Sequence, residues 1–169
     1  MNRRVFGITG WKNSGKTTLT ERLVAELVRR GWNVSTVKHA HHDFDIDKPG
    51  ADSFRHRQAG ATEVAIVSGK RWALMHELRG EDEPTLEAIL SRLAPSDIVL
   101  VEGYKREAHD KIETRRLEAS DWEPLSVNDP HIVAIAADFT LTGESLPVFD
   151  LDDTKSIADF IERRTGLVT

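Results

Sequence analysis

The 169-residue chain is 39% hydrophobic, enough for one buried core and too short for two large domains. Its net charge of −5 offers no broad attraction to nucleic acid or an anionic membrane, and the absence of cysteine excludes disulfides, thiolate metal ligands and cysteine nucleophiles. Met1-Asn2-Arg3-Arg4 leads into too few apolar residues for a signal peptide, and no run approaches the roughly 20 of a membrane-spanning helix, so a cytoplasmic globular protein is expected.

Residues 4–9 (RVFGIT) read as a short buried strand. Across residues 16–30, Leu19, Leu23 and Leu27, with Val24 and Val28, recur at four-residue spacing and fall on one helical face. Two arginines suit the negative end of that helix and Gly31 stops it. Residues 32–38 (WNVSTVK) read as a second strand, and residues 39–50 are irregular and dense in His and Asp. A short helix is predicted over 51–59, begun near Asp52 or Ser53 and ended by Gly60. Residues 63–67 (EVAIV) and 71–77 (RWALMHE) flank Ser68-Gly69-Lys70, a hairpin signal.

Leu86, Ile89, Leu90 and Leu93 mark an amphipathic helix that Pro95-Ser96 breaks. Residues 97–101 (DIVLV) form the most clearly buried strand. Residues 103–130 look charge-rich and mobile, with one candidate strand over 112–117. Residues 132–137 (IVAIAA) are another buried strand and 147–149 a short one. A closing helix over 154–164 turns Ile157, Phe160 and Ile161 inward and has Asp153 or Thr154 as its cap. Together these predict one α/β domain over residues 1–169, with a mainly parallel central sheet and a β-hairpin insertion.

Gly10-Trp11-Lys12-Asn13-Ser14-Gly15-Lys16-Thr17 fills every fixed position of G-x-x-x-x-G-K-[ST], between a strand and a helix. The glycines let backbone N–H groups close around phosphate oxygens, where a side chain would block approach. Lys16 would reach the β- and γ-phosphates, the Thr17 hydroxyl would ligate Mg²⁺, and the following helix would point its positive end at the anion. The expected nucleotide contacts are Gly10, Trp11, Lys12, Asn13, Ser14, Gly15, Lys16, Thr17 and Thr18, on a P-loop NTPase-type three-layer fold. Lys12 stands one place too late for the signature lysine of deviant Walker A loops and reads as solvated or flanking the phosphates. Trp11 either lies over the nucleotide or shields the loop from water.

Glu102 ends the buried strand, where a Walker B acid would hold Mg²⁺ through water or orient the attacking water. The bland alternative is a strand-end carboxylate paired to a lysine. The segment His39-Ala40-His41-His42-Asp43-Phe44-Asp45-Ile46-Asp47 follows the second strand, and three readings stay open. It could bind a transition metal, supply Asp45 or Asp47 to Mg²⁺ and its waters, or act as a solvated switch facing a partner. Arg55, His56 and Arg57, with Lys105 and Arg106, either bring positive charge to the phosphates or form a solvated face. Trp72 reads as core or interface.

Three segments together resemble one family: GWKNSGKTTL, residues 37–61 (VKHAHHDFDIDKPGADSFRHRQAGA) and residues 98–105 (IVLVEGYK). They are similar to molybdopterin-guanine dinucleotide biosynthesis protein B, the MobB family, whose pattern RWALMHE and IVAIAAD (132–138) also follow. One departure is Ala51, where the family tends to have lysine. The resemblance implies a homodimeric GTP-binding protein with weak GTPase activity, in which Lys16 and Glu102 serve catalysis and Thr17 and Glu102 hold Mg²⁺. It would assist the guanylyltransferase that joins GMP to molybdopterin, with residues 41–47 lining the site or partner surface and the hairpin at 68–77 contacting a second copy.

No arginine or glutamine stands in an obvious position to speed hydrolysis, which suits a slow switch or adaptor. Two alternatives remain. A small-molecule kinase would use Lys105, Arg106, Lys111, Arg115 and Arg116 as a basic lid, and a pure scaffold would bind nucleotide without hydrolysing it. No Asn-Lys-x-Asp guanine reader is present, so GTP follows from the resemblance. Asp138, past the IVAIAA strand, is a position from which a carboxylate could accept from a guanine edge.

Overall fold

Helix and strand periodicity place the elements within a residue or two of expectation. The computed structural model describes residues 3–40 and 44–168. In chain order these form β1 (Val5–Gly10), α1 (Lys16–Arg29), β2 (Val34–Lys38), α2 (Asp52–Gln58), β3 (Glu63–Val67), β4 (Trp72–His76), α3 (Leu86–Arg92) and β5 (Ile98–Glu102). Then follow β6 (Lys111–Arg115), a 3-10 turn at Leu125–Val127, β7 (Ile132–Ala137), β8 (Val148–Asp150) and α4 (Thr154–Thr165). Two compact units result: Met1–His39 with Arg92–Thr169, and Ala40–Ser91.

The larger unit is built on a parallel six-stranded sheet in the order β2-β5-β1-β6-β7-β8. Alternate strand residues face opposite sides. On one side Phe6, Ile8, Ile98, Leu100, Ile112, Ala134 and Ala136 meet Leu19, Leu23 and Leu27 of α1 and Ile157, Ala158 and Ile161 of α4. Arg30 ties these helices together, bonding Glu26 at 2.8 Å, Asp159 at 2.6 Å and Glu162 at 2.5 Å. Trp32 Nε1 donates to the same Glu162 at 2.6 Å, so the charged end of α1 is fixed against α4.

Gly7 belongs to the opposite side of β1, where the segment between β5 and β6 crosses. Its N–H donates to the Asp110 carbonyl at 2.8 Å, and a Cβ built on it would stand 2.6 Å from Lys111 Cγ. Lys111 is fully buried, donating to Asp129 at 2.6 Å and to the Lys105 carbonyl at 3.3 Å. Buried Glu113 accepts from the N–H groups of Leu125 and Ser126, at 2.8 and 3.2 Å, and from Arg115 at 2.9 Å. The stretch expected to be charge-rich and mobile thus contributes a central strand, β6. Its inward-facing lysine and glutamate are hidden in ion pairs, a burial that the hydrophobic pattern cannot show.

The smaller unit pairs β3 and β4 antiparallel, with Val67 opposite Trp72 across the predicted turn. Ser68 closes that turn, its N–H donating to the Arg71 carbonyl at 2.9 Å. Val64 and Met75 are buried on one face of the ribbon, while Ala65, Val67, Trp72 and Leu74 are exposed on the other. Arg57 on α2 gathers Asp45 at 2.9 Å, Glu77 at 2.8 Å and Asp47 at 3.4 Å, pinning the irregular loop to the helix. Asp47 also accepts from Ser53 at 2.8 Å.

Candidate functional site

The P-loop closes at the carboxyl end of β1, next to the carboxyl ends of β5 and β6. Gly10, Asn13 and Gly15 adopt φ of 150°, 65° and 92°, which turn the chain tightly before α1. A Cβ on Gly10 would come within 2.7 Å of the Thr114 carbonyl oxygen. Ser14 is buried, and its hydroxyl bonds the Thr114 hydroxyl at 2.7 Å, while Thr114 donates to the Thr9 carbonyl at 3.1 Å. The loop is thereby fastened to β6, through a threonine that no motif singles out.

Helix α1 starts at Lys16 with no side-chain cap, so the N–H groups of its first turn are left for an anion. Lys16 folds back on the loop, donating to the Trp11 carbonyl at 2.6 Å and the Gly10 carbonyl at 3.1 Å. Burial lowers its pKa, helped by the charges of Lys105 and Lys38 and opposed by Glu102. Thr17 donates to Glu102 Oε1 at 2.7 Å, and Lys38 Nζ lies 3.3 Å from the same oxygen. Glu102 is therefore both the acid facing the P-loop and a carboxylate paired with a lysine. The chain path behind it is tight. Gly103 has φ of 91° and a Cβ there would stand 3.1 Å from His39 Cβ.

Trp11 is half-buried. Its Nε1 donates to the Glu123 carbonyl at 2.7 Å, and Lys105 Nζ sits 4.1 Å from the ring centroid. Burial lowers the Lys105 pKa, against Asp121 and Glu113. Lys12 is exposed, and its carbonyl accepts the Ser120 N–H at 3.0 Å. Asn13, Ser14, Gly15, Lys16, Thr17 and Thr18 line a cavity of about 440 Å³, joined by Arg116 and Glu118. Arg116 belongs to the general basic stretch of the sequence, and Glu118 falls in no motif. The helix-following-strand context signals the P-loop, whereas these two come from a loop after β6.

The proposed basic lid is mostly engaged elsewhere: Lys111 with Asp129, Arg115 with Glu113 and Glu144, and Lys105 with Trp11. Arg57 is bound by three carboxylates, and Arg55 is exposed, 3.9 Å from Asp52. The Asp47 amide and then Arg57 hold the Asp45 carboxyl below its ordinary pKa. His41, His42 and Asp43 lie outside the described residues, and among the described residues no three His, Asp or Glu side chains gather as metal ligands. No helix among them is long and apolar enough to cross a membrane.

Residues 5–138 match the family model of MobB, molybdopterin guanine dinucleotide synthesis protein B. The chain is 39% identical over 159 residues to the molybdopterin-guanine dinucleotide biosynthesis adapter protein of Escherichia coli (strain K12), spanning 93% of this chain and 90% of that one. Its identity to the adapter protein of Haemophilus influenzae is 38% over 164 residues, spanning 96% and 90%. In three dimensions it is similar to the crystal structure of a MobB homologue from Bacillus stearothermophilus, with a TM-score of 0.74 and 33% identity over 98% of this chain and 99% of that one. By the family-model match over residues 5–138 and the identity to these relatives, the chain belongs to the MobB family.

Proposed function

We propose that the protein is a GTP-binding adapter in molybdopterin guanine dinucleotide biosynthesis, hydrolysing GTP slowly and serving the guanylyltransferase that joins GMP to molybdopterin. The observation that carries the nucleotide reading is the Thr17–Glu102 hydrogen bond of 2.7 Å, which sets a hydroxyl and a carboxylate side by side at the mouth of the P-loop. Those two oxygens and the uncapped start of α1 fit a magnesium-bound triphosphate. Magnesium, when bound, supplies charge neutralisation at the phosphoryl oxygens.

Lys16 would exchange the Trp11 and Gly10 carbonyls for phosphate oxygens, and the first-turn N–H groups of α1 would hold the same anion. Asp45 and Asp47 are candidates to support magnesium only after release from Arg57. Arg116, the arginine at the phosphate cavity, bonds Asp138 at 3.2 Å and lies 3.5 Å from Glu118, an arrangement consistent with slow hydrolysis. With Lys105, Lys111 and Arg115 engaged elsewhere, a kinase reading keeps only Arg116 of its basic lid at the cavity.

The relatives' name as adapter proteins supports the role in the pathway. The exposed apolar ribbon face supports a homodimer. We read the chain as one nucleotide-binding domain, since the family model takes in residues of both units, and its likeness to biosynthesis adapter proteins supports a place in the cytoplasm. Calorimetric titration with GTP and with ATP, each with Mg²⁺, tests the nucleotide reading. Magnesium-dependent GTP binding, weaker for ATP and lost in Lys16→Ala, is expected. Equal affinity for GTP and ATP would sink the guanine assignment. Turnover above roughly one per second without a partner would sink the slow-GTPase reading.

A further inference from the structure

Arg116, Asp138 and Leu151 are each the first residue past a strand: β6, β7 and β8 respectively. These strands lie parallel and side by side, so their carboxyl ends deliver the three residues to the same edge of the P-loop. There they line a second cavity, of about 210 Å³. It shares Gly15, Thr18 and Arg116 with the phosphate cavity, so the two meet at the start of α1. A nucleotide whose phosphates lie along residues 10–18 can run from one cavity into the other, leading with its base.

We propose that this second cavity receives the purine base and that Asp138 selects guanine by accepting from its N1–H and 2-amino N–H. The proposal rests on the triphosphate reading above. The Asp138 side chain is 28% exposed, so it is partly withdrawn from water and still open to a ligand. Its Oδ1 accepts the Leu117 N–H at 3.0 Å and its Oδ2 accepts Arg116 Nε at 3.2 Å. A carboxylate has about four acceptor positions, so two donors orient it and the rest remain for a base edge. Leu19 and Leu151 give the cavity an apolar wall suited to a flat ring.

The chemistry discriminates sharply. Guanine offers two adjacent N–H donors to a carboxylate, whereas adenine presents the N1 lone pair and a C–H at that edge and would be repelled. Xanthine carries a carbonyl in place of the 2-amino group, so it too is repelled by a carboxylate and accepts from an amide. The other carboxylate of the cavity, Asp152, is 79% exposed and paired with Arg22, so water screens it and it contributes little selectivity.

Titration of the full chain with the magnesium complexes of GTP, ATP, ITP and xanthosine triphosphate tests the assignment. Wild type is expected to prefer GTP over xanthosine triphosphate, and Asp138→Asn to reverse that order, a change of about tenfold or more in the affinity ratio. Asp152→Asn should keep the wild-type order. A GTP preference that survives in Asp138→Asn, or a reversal produced by Asp152→Asn instead, overturns the inference. Should Asp138→Asn not fold, wild type itself decides: ITP, which lacks the 2-amino group, must bind about tenfold more weakly than GTP, and equal binding overturns the proposal. Failure of wild type to bind any magnesium nucleotide would instead strike the function proposed above, so the two failures are told apart.

Discussion

With its ammonium on the Trp11 and Gly10 carbonyls, Lys16 satisfies two backbone acceptors of the P-loop, the bonds that phosphate would replace under the function proposed above. Glu102 meets the Thr17 hydroxyl in the same way, with Lys38 balancing its charge. Glu102→Gln keeps a hydrogen-bonding partner for Thr17 but removes the charge that would attract a cation. The variant should lose about tenfold of the Mg²⁺ enhancement of GTP affinity while binding free GTP as wild type does; titrations at several Mg²⁺ concentrations check it. His109 answers to pH through a different cause. Burial first, then the charge of Lys111, lowers its pKa from 6.5 to about 4. The unfolded chain therefore takes up this proton before the folded one, and stability conferred by the neutral ring is present above pH ~6.5 and lost as pH falls toward 4. His76 runs the other way, its pKa raised by Glu63 and Glu81, so its contribution is lost as pH rises. His109→Gln should flatten the fall in urea midpoint between pH 6.5 and 4, and an unchanged slope would show that other groups carry it.

At the scale of elements, the β5–β6 connection passes closely over Gly7 of β1, the strand that leads into the P-loop. A methyl group there would collide with Lys111 Cγ and the His109 ring, and neither can retreat easily, since Lys111 is bonded to Asp129 and the connection is hydrogen-bonded to Gly7 itself. Gly7→Ala should destabilise the protein by about 1–3 kcal/mol in denaturant unfolding, and a smaller loss would mean that the crossing loop yields. The leucines of α1 and the aliphatic runs of β5 and β7 were legible because water-avoiding side chains repeat with the period of their element. The strand β6 was legible only as a candidate, because its sequence KIETR hides Lys111 and Glu113 in partnerships with Asp129 and with Leu125 and Ser126, distant in sequence. The site divides along the same line. Residues 10–17 follow a local backbone rule and could be read directly, whereas Arg116, Glu118 and Thr114 reach the P-loop through strand order, which one sequence does not display.

For the molecule as a whole, the question left by the fold is what covers the β3–β4 ribbon. Val64 and Met75 are buried on one face, but Val67 and Trp72, paired across the strands, are 75% and 70% exposed on the other, beside Leu74 and Ala65. An apolar ribbon face with free strand edges invites pairing with another chain, and a second copy of the same ribbon presents the same apolar side chains in a self-complementary arrangement. Burying an aromatic or leucine side chain at such a contact contributes about 1.5–3 kcal/mol. Replacing Trp72 and Leu74 together by glutamate would set like charges against each other across a two-fold contact while leaving the buried Val64–Met75 pair untouched. Sedimentation velocity should find wild type as a dimer and Trp72→Glu/Leu74→Glu as a monomer with unchanged circular dichroism. Because the P-loop cavity is lined by residues of the larger unit, that monomer should still bind GTP with Mg²⁺. A double variant that remains dimeric would place the subunit contact elsewhere on the molecule.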